Sequence, residues 1–209
     1  MKKGSWQGRL FLATRNQDKI REMISLLSGL KLKIITYREI HSYPRIKETG
    51  NTTQENALHK ARALHERTGY LSLADDTALE IEALNGAPGV KASRFAGPKA
   101  SYEENRRKVL DLLNGIPKER RKARFICSIA LVGDEVEEVV DGEIDGLITS
   151  EEIGRGGFGY DPIFLVPCYG KTFSQMDAEL KNRISHRGRA FCHILPFLKK
   201  LILDKEDLD

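Results

Sequence analysis

The longest apolar runs in this chain are four residues: Leu10 to Ala13, Ile129 to Val132 and Ile163 to Val166. A helix that spans a bilayer needs about 18 apolar residues in succession. Runs this short build buried strands instead, and the segments between them decide how the strands connect. Leu10 to Ala13 leads into the polar Thr14-Arg15-Asn16, after which Ile20, Met23, Ile24 and Leu27 recur at helical spacing as far as Gly29. Leu32 to Thr36 reads as the next strand. Strand, helix and strand in this order predict an α/β fold.

Farther along, Arg38 to Gly50 is polar and loop-like. Thr52 or Thr53 offers a helix N-cap, with Ala57, Leu58, Ala61 and Leu64 on the buried side up to Gly69. Leu71-Ser72-Leu73-Ala74 predicts a strand ending at Asp75-Asp76. Ser101 and Glu104 form a capping box that opens a helix burying Val109, Leu112 and Leu113. Ala123 to Val132 and Val136 to Ile148 are strand-rich and joined at Gly133-Asp134, as in a hairpin. A final helix begins near Arg187 with Phe191, Ile194, Leu198 and Leu201 inward; Pro196 should kink or restart it. Hairpin-joined strands beside a strand–helix–strand unit make the sheet mixed.

Composition narrows the classes. The 209 residues can bury a proper core, and 34 Lys and Arg against 30 Asp and Glu leave a net charge of +4. That mild balance suits an anionic ligand without requiring nucleic acid. The basic run Lys118 to Arg124 lacks interleaved aromatics and reads as a solvated loop. Met1-Lys2-Lys3 is not followed by the apolar region of a signal peptide. Cys127, Cys168 and Cys192 are odd in number and lack C-x-x-C spacing, which predicts a reduced cytoplasmic protein whose thiols act as small hydrophobes. No membrane association is expected.

Four segments are unusually polar. Thr14-Arg15-Asn16-Gln17-Asp18-Lys19 stands where a strand gives way to a helix; open N–H groups there attract phosphate, as does the Lys19 ammonium. An ordinary helix start capped by Asn16 accounts for the same residues. Asp75-Asp76-Thr77 places two carboxylates together, which raise one another's pKa unless a cation compensates them. Mg2+ would do so, and a solvated turn with Asp76 capping the next element is the alternative. Gly154, Gly156 and Gly159 fit G-x-G-x-x-G, but Pro162 forbids a regular helix directly afterwards, which rejects a dinucleotide fingerprint. A loop with Phe158 and Tyr160 suits a flat ring such as a nucleobase, or serves as a tight hairpin exit with packing aromatics. Lys181-Asn182-Arg183-Ile184-Ser185-His186-Arg187 gathers donors; Ser185 as N-cap would expose His186 and Arg187 to a carbonyl ligand or simply to solvent.

Taken in order, these segments resemble one family. Thr14-x-Asn16-x-x-Lys19, Glu48-Thr49-Gly50, Glu55-Asn56-Ala57 with Lys60, and Ala74-Asp75-Asp76-Thr77 carry the likeness. So do Gly86 to Val90, Ser93-Arg94-Phe95, Gly156 to Pro162 and Ser185-His186-Arg187. The chain resembles the Ham1/ITPase family of pyrophosphatases acting on non-standard purine nucleoside triphosphates, over Leu10 to Leu201. The resemblance implies one domain over residues 1–209, with an elongated mixed sheet, flanking helices and two lobes around a nucleotide-binding cleft. It implies a homodimer that hydrolyses ITP, dITP and XTP to the monophosphate and pyrophosphate with Mg2+. By position, Thr14, Arg15, Asn16, Gln17, Asp18 and Lys19 would hold the triphosphate and Lys60 would touch phosphate. Asp76 would be proton acceptor and metal ligand, joined by Glu48 and Asp75, while Thr77 would bind substrate. Phe158, Gly159, Tyr160 and Asp161 would wall the base; Lys181, His186 and Arg187 would face the purine and its 6-keto oxygen.

Two positions depart from that pattern. Thr77-Ala78 stands where the family usually has Ser-Gly; Thr77 keeps the hydroxyl, and Ala78 enters positive φ less readily than Gly. Arg15 stands where Gly is frequent, adding either a phosphate contact or an outward side chain.

Overall fold

The computed structural model describes residues 8–40, 43, 46 and 48–206. The basic start at Met1-Lys2-Lys3 and part of the polar stretch from Arg38 to Gly50 (residues 41, 42, 44, 45 and 47) lie outside them. The chain divides into two compact units: Met1–Asp76, Cys127–Gly142 and Arg187–Asp209 in the first, Thr77–Ile126 and Glu143–His186 in the second. The strands form one mixed sheet. Its elements are β1 (Arg9–Leu12), β2 (Lys33–Ile35), β3 (Leu71–Ile81), β4 (Pro88–Gly89), β5 (Lys122–Val132), β6 (Glu137–Ile148), β7 (Phe164–Val166) and β8 (Lys171–Thr172). They run in the order β2-β1-β3-β5-β6-β7-β8, with β4 paired to β3.

In the first unit β1 is parallel to both neighbours, Phe11 lying opposite Ile35 on β2 and Ser72 on β3. Helix α1 (Gln17–Leu27) carries the chain from β1 to β2, while β3 lies on the other side of β1. The carboxyl end of β1 and the stretch of β3 just beyond its pairing with β1 thus flank the point where the winding reverses, the place where open α/β sheets bind ligands. Strand periodicity sorts the core. Leu10, Leu12, Leu71, Leu73, Cys127, Ile129 and Leu131 pack with Ile20, Met23 and Leu27 of α1 and with Phe191, Ile194 and Leu198 of the last helix. Phe11, Ala13, Ala74, Ala130 and Val132 pack instead on Ala57, Ala61 and Leu64 of α2 (Thr53–Thr68). Thr52 is the cap of α2, in a capping box with Glu55, and Gly69 ends the helix at φ 70°.

The second unit gathers Leu79, Ile81, Phe125, Ile144, Ile148, Phe164 and Phe173 around Val109 and Leu113. Helix α3 (Tyr102–Leu112) starts at the expected Ser101–Glu104 capping box, but Leu112 is exposed. The strands β5 and β6 turn at Gly133, whose N–H donates to the Val136 carbonyl, 2.8 Å away. Arg121 is buried rather than solvated: its guanidinium donates to the carbonyls of Leu113, Ile116 and Thr149, which closes the end of α3.

Helix α4 (Ala178–Ile184) precedes α5 (His186–Glu206), which runs through Pro196 without a new start. Both Pro196 and Cys192, whose carbonyl the missing N–H would have met, are exposed, so water can take the freed acceptor. Of the cysteines only Cys127 is buried; Cys168 and Cys192 are exposed, against the small-hydrophobe expectation for those two. Among the described residues no helix is long and apolar enough to cross a membrane.

Candidate active site

Asp75 and Asp76 lie inside β3, not in a turn after it. The strand continues because it pairs with β1 over Leu71 to Leu73 and with β4 at Leu79 and Glu80. Adjacent residues of a strand point to opposite faces, so the two carboxylates part company. Asp75 takes the face of α1 and α5. Its Oδ2 is 3.0 Å from Lys19 Nζ, and it accepts from Arg187 Nη2 at 2.9 Å and Nε at 3.1 Å. Arg187 also pairs with Glu22. Burial alone would raise the Asp75 pKa; Lys19 and Arg187 overcome it and hold the carboxyl well below the usual carboxylate range.

Asp76 takes the α2 face. Its Oδ1 accepts from Lys60 Nζ at 2.8 Å and its Oδ2 from Asn56 Nδ2 at 3.1 Å. Lys60 also donates to Glu48 Oε1 at 3.0 Å. Here burial prevails over the Lys60 charge and moves the Asp76 pKa upwards. Lys60, by contrast, stays protonated: burial would lower its pKa, but Asp76 and Glu48 raise it. Among the described residues no three metal-ligating side chains come together. Glu48 and Asp76 nevertheless share one cation, the Lys60 ammonium, and Glu48 is partly open to solvent. Two carboxylates with a solvent side suit Mg2+, which completes its shell with water and phosphate. Asp75, committed to two cations on the other face, is not part of that pair.

The Thr14–Lys19 run begins beside β3, since Ala13 N–H donates to the Leu73 carbonyl at 2.7 Å. Asn16 is the cap of α1 and accepts from the N–H groups of Asp18 at 2.9 Å and Lys19 at 3.3 Å, so these are not open to phosphate, and of the two readings the Asn16-capped helix start is the one observed. Thr14 Oγ accepts from Asn16 N–H. Gln17 is held between Tyr37 and Arg38, and Asp18 pairs with Arg21. Arg15 lies over the Tyr43 ring, 4.9 Å from its centroid, and donates to the Tyr43 carbonyl. Lys19 therefore remains as the charged donor of the run that reaches the acidic strand.

In the second unit, Lys181 of α4 pairs with Asp161 and stands over the Phe158 ring at 4.7 Å and the Phe173 ring at 5.6 Å. Asp161 Oδ2 also accepts from Phe158 N–H at 2.8 Å. Gly157 at φ 70° makes this possible, because a Cβ there would fall 2.1 Å from Asp161 Oδ2. Tyr160 is buried and donates from its hydroxyl to the Ala92 carbonyl at 2.8 Å. His186 stacks on Phe125 at 4.4 Å and 12°. His186 and Arg187 are 3% and 2% exposed, so neither stands out into solvent, and Arg187 belongs to the Asp75 cluster. Thr77 is half-buried in β3, and Ala78 needs no left-handed backbone, since Asn85 is the only non-glycine with positive φ among the described residues.

Two contributors are given no role by the sequence, although Asn56 lies within the Glu55-Asn56-Ala57 motif. Asn56 joins Asp76 to the segment that bears Glu48, since its Oδ1 accepts from Gly50 N–H at 2.8 Å. Glu22 holds the far side of Arg187. A polar residue on the buried side of α2 was the available signal for Asn56; nothing local marks Glu22.

A model of the Ham1 family matches residues 10–197. A protein of Desulforamulus reducens named dITP/XTP pyrophosphatase is 43% identical over 199 residues, covering 95% of this chain and 99% of its own length. One of the same name from Geobacter sulfurreducens is 43% identical and covers 87% of this chain and 92% of its own. Among solved structures, a HAM1 protein from Coxiella burnetii superposes with a TM-score of 0.82 at 43% identity, covering 92% of this chain and 98% of that one. The Staphylococcus aureus Ham1 protein does so at 0.81 and 36% identity, with the same coverage.

Proposed function

This chain belongs to the Ham1 family, and from that premise we propose that it hydrolyses ITP, dITP and XTP to the nucleoside monophosphate and pyrophosphate. The observation that carries the reading is the division of labour on β3: Asp75 is sealed by Lys19 and Arg187, while Asp76 is buried with an elevated pKa beside Lys60 and Asn56. A carboxylate made more basic by burial is suited to take a proton from water. As the water oxygen bonds to the α-phosphorus, Asp76 accepts its proton. The bond from that phosphorus to the bridging oxygen breaks, and the electron pair leaves with pyrophosphate.

Lys19 and Lys60 balance the polyanion; each unit pair at 4 Å is worth about 4 kcal/mol at an effective dielectric near 20. Thr14 adds a hydroxyl to the phosphate side. Glu48 and Asp76 would hold Mg2+, which supplies neutralising charge for the leaving pyrophosphate when bound. Asp75 acts as the counter-charge that keeps Lys19 in place, not as a ligand. Phe158, Asp161, Lys181 and His186 take the base: donors directed to a 6-keto oxygen are left unpaired by an adenine amine, which rejects ATP. The enzyme acts as a homodimer in the cytoplasm, where the exposed thiols of Cys168 and Cys192 stay reduced.

A substrate panel with Mg2+ tests the proposal. dITP should give dIMP and pyrophosphate. Release of orthophosphate instead, or preference for modified pyrimidine triphosphates, would overturn it.

A further inference from the structure

The base-side loop from Gly156 to Asp161 is held from within by Asp161 and by Ser174, whose carbonyl accepts from Gly156 N–H at 3.1 Å. A second hold comes from α3. Tyr102 and Arg106 are four residues apart and so share a helix face. The Tyr102 ring lies 5.9 Å from the Phe158 ring, and Arg106 Nη1 donates to the Gly159 carbonyl at 2.9 Å. The Arg106 guanidinium is itself fixed by a two-pronged pair with Glu152, Nε to Oε1 at 2.8 Å and Nη2 to Oε2 at 2.9 Å. Its side chain is only 13% exposed. A planar fork bound at both prongs loses little further freedom, so its third donor is aimed with precision.

We propose that Arg106 is a positioning residue for base recognition: clamped by Glu152, it fixes the Gly159 carbonyl and through it the placement of the Phe158 ring against Lys181. The inference rests on the reading of this loop as the base wall. Arg106 touches no reacting group, so its effect falls on substrate affinity and not on the chemical step. The neighbouring Asn105 performs the parallel task for the Ser93–Ala96 segment, accepting from Ala96 N–H at 2.8 Å and donating to the Ser93 carbonyl at 3.2 Å. One short helix thus braces two of the segments that identify the chain.

The test compares the full-length protein with Arg106→Met, which keeps the apolar stem, and Glu152→Gln, which leaves Arg106 but loosens its clamp. Steady-state kinetics with dITP and amide hydrogen exchange over Phe158 to Asp161 in the ligand-free protein are the two readouts. Losing the charge-assisted bond to the Gly159 carbonyl should raise KM about 10-fold in Arg106→Met with kcat within about 2-fold, and speed exchange of the loop about 10-fold. Glu152→Gln should fall between that variant and the wild type. Unchanged KM and unchanged exchange would overturn the inference, as would an equal fall in kcat. If the wild type fails to cleave dITP while Arg106→Met still accelerates loop exchange, the clamp stands and the functional reading falls.

Discussion

Arg187 Nη2 and Asp75 Oδ2 lie 2.9 Å apart, although 112 positions separate the two residues in sequence. Both are buried, and the pair ties α5 to the central strand β3 of the first unit. Breaking a buried pair strands a charge, which costs more than the pair contributes. Arg187→Met should therefore destabilise the fold by about 3–5 kcal/mol, read as a drop in the denaturant midpoint. The depressed Asp75 pKa sets the sign of the pH dependence. A depressed carboxyl stabilises the fold above its unfolded value, ordinarily 3.8, and loses that contribution as pH falls through the lower folded value. Asp75→Asn should differ in stability from the wild type by a constant amount above about pH 5, the two curves approaching each other only in stronger acid.

Asp76 is expected to behave in the opposite way to Asp75. Its pKa is raised by burial, so its charged form costs the fold stability once pH rises past the folded value. Asp76→Asn should lower kcat about 100-fold to 10,000-fold, while circular dichroism and the melting midpoint show a folded protein. Retained turnover would place the base elsewhere.

Asn56 couples that carboxylate to Gly50 and the Glu48 segment. Asn56→Leu removes both bonds and leaves buried partners unmet, at about 1–3 kcal/mol of stability. Turnover should fall about 10-fold or more, because the displaced groups are the ones proposed to handle water and metal. The Mg2+ concentration for half-maximal rate should rise in the same variant; an unchanged value would detach Asn56 from this role.

Gly157 gives a test of the base wall that leaves the first unit untouched. Gly157→Ala forces a side chain into φ 70° and against Asp161 Oδ2. The loop must shift, taking Phe158 and Lys181 with it. KM for dITP should rise about 10-fold or more, and selectivity over dATP should fall, measured as the ratio of kcat/KM values.

Much of this protein was legible in one dimension. Short apolar runs, helical spacing at Ile20, Met23, Ile24 and Leu27, an N-cap at Thr52 or Thr53 and the capping box at Ser101 are local properties, and local propensity placed those elements, although Ile24 is exposed. The polar segments could be recognised because side-chain chemistry travels with the residue. Their roles there were another matter. Reading a strand that stops at Ala74 puts Asp75 and Asp76 together as a repelling pair in need of an ion. Pairing with β1 and β4 carries the strand through to Ile81 and sends the two carboxylates to opposite faces. Tertiary packing also seals Arg187 against Asp75 and Glu22 in the first unit, and separate contacts bury Tyr160 and Arg121 in the second. Each of those outcomes depends on a partner many residues away, and the free energy of a buried charge or hydroxyl is set by that partner. The sequence determined which chemical groups the chain possesses and which elements carry them; the tertiary structure decided which of those groups neutralise one another and which are left poised to act.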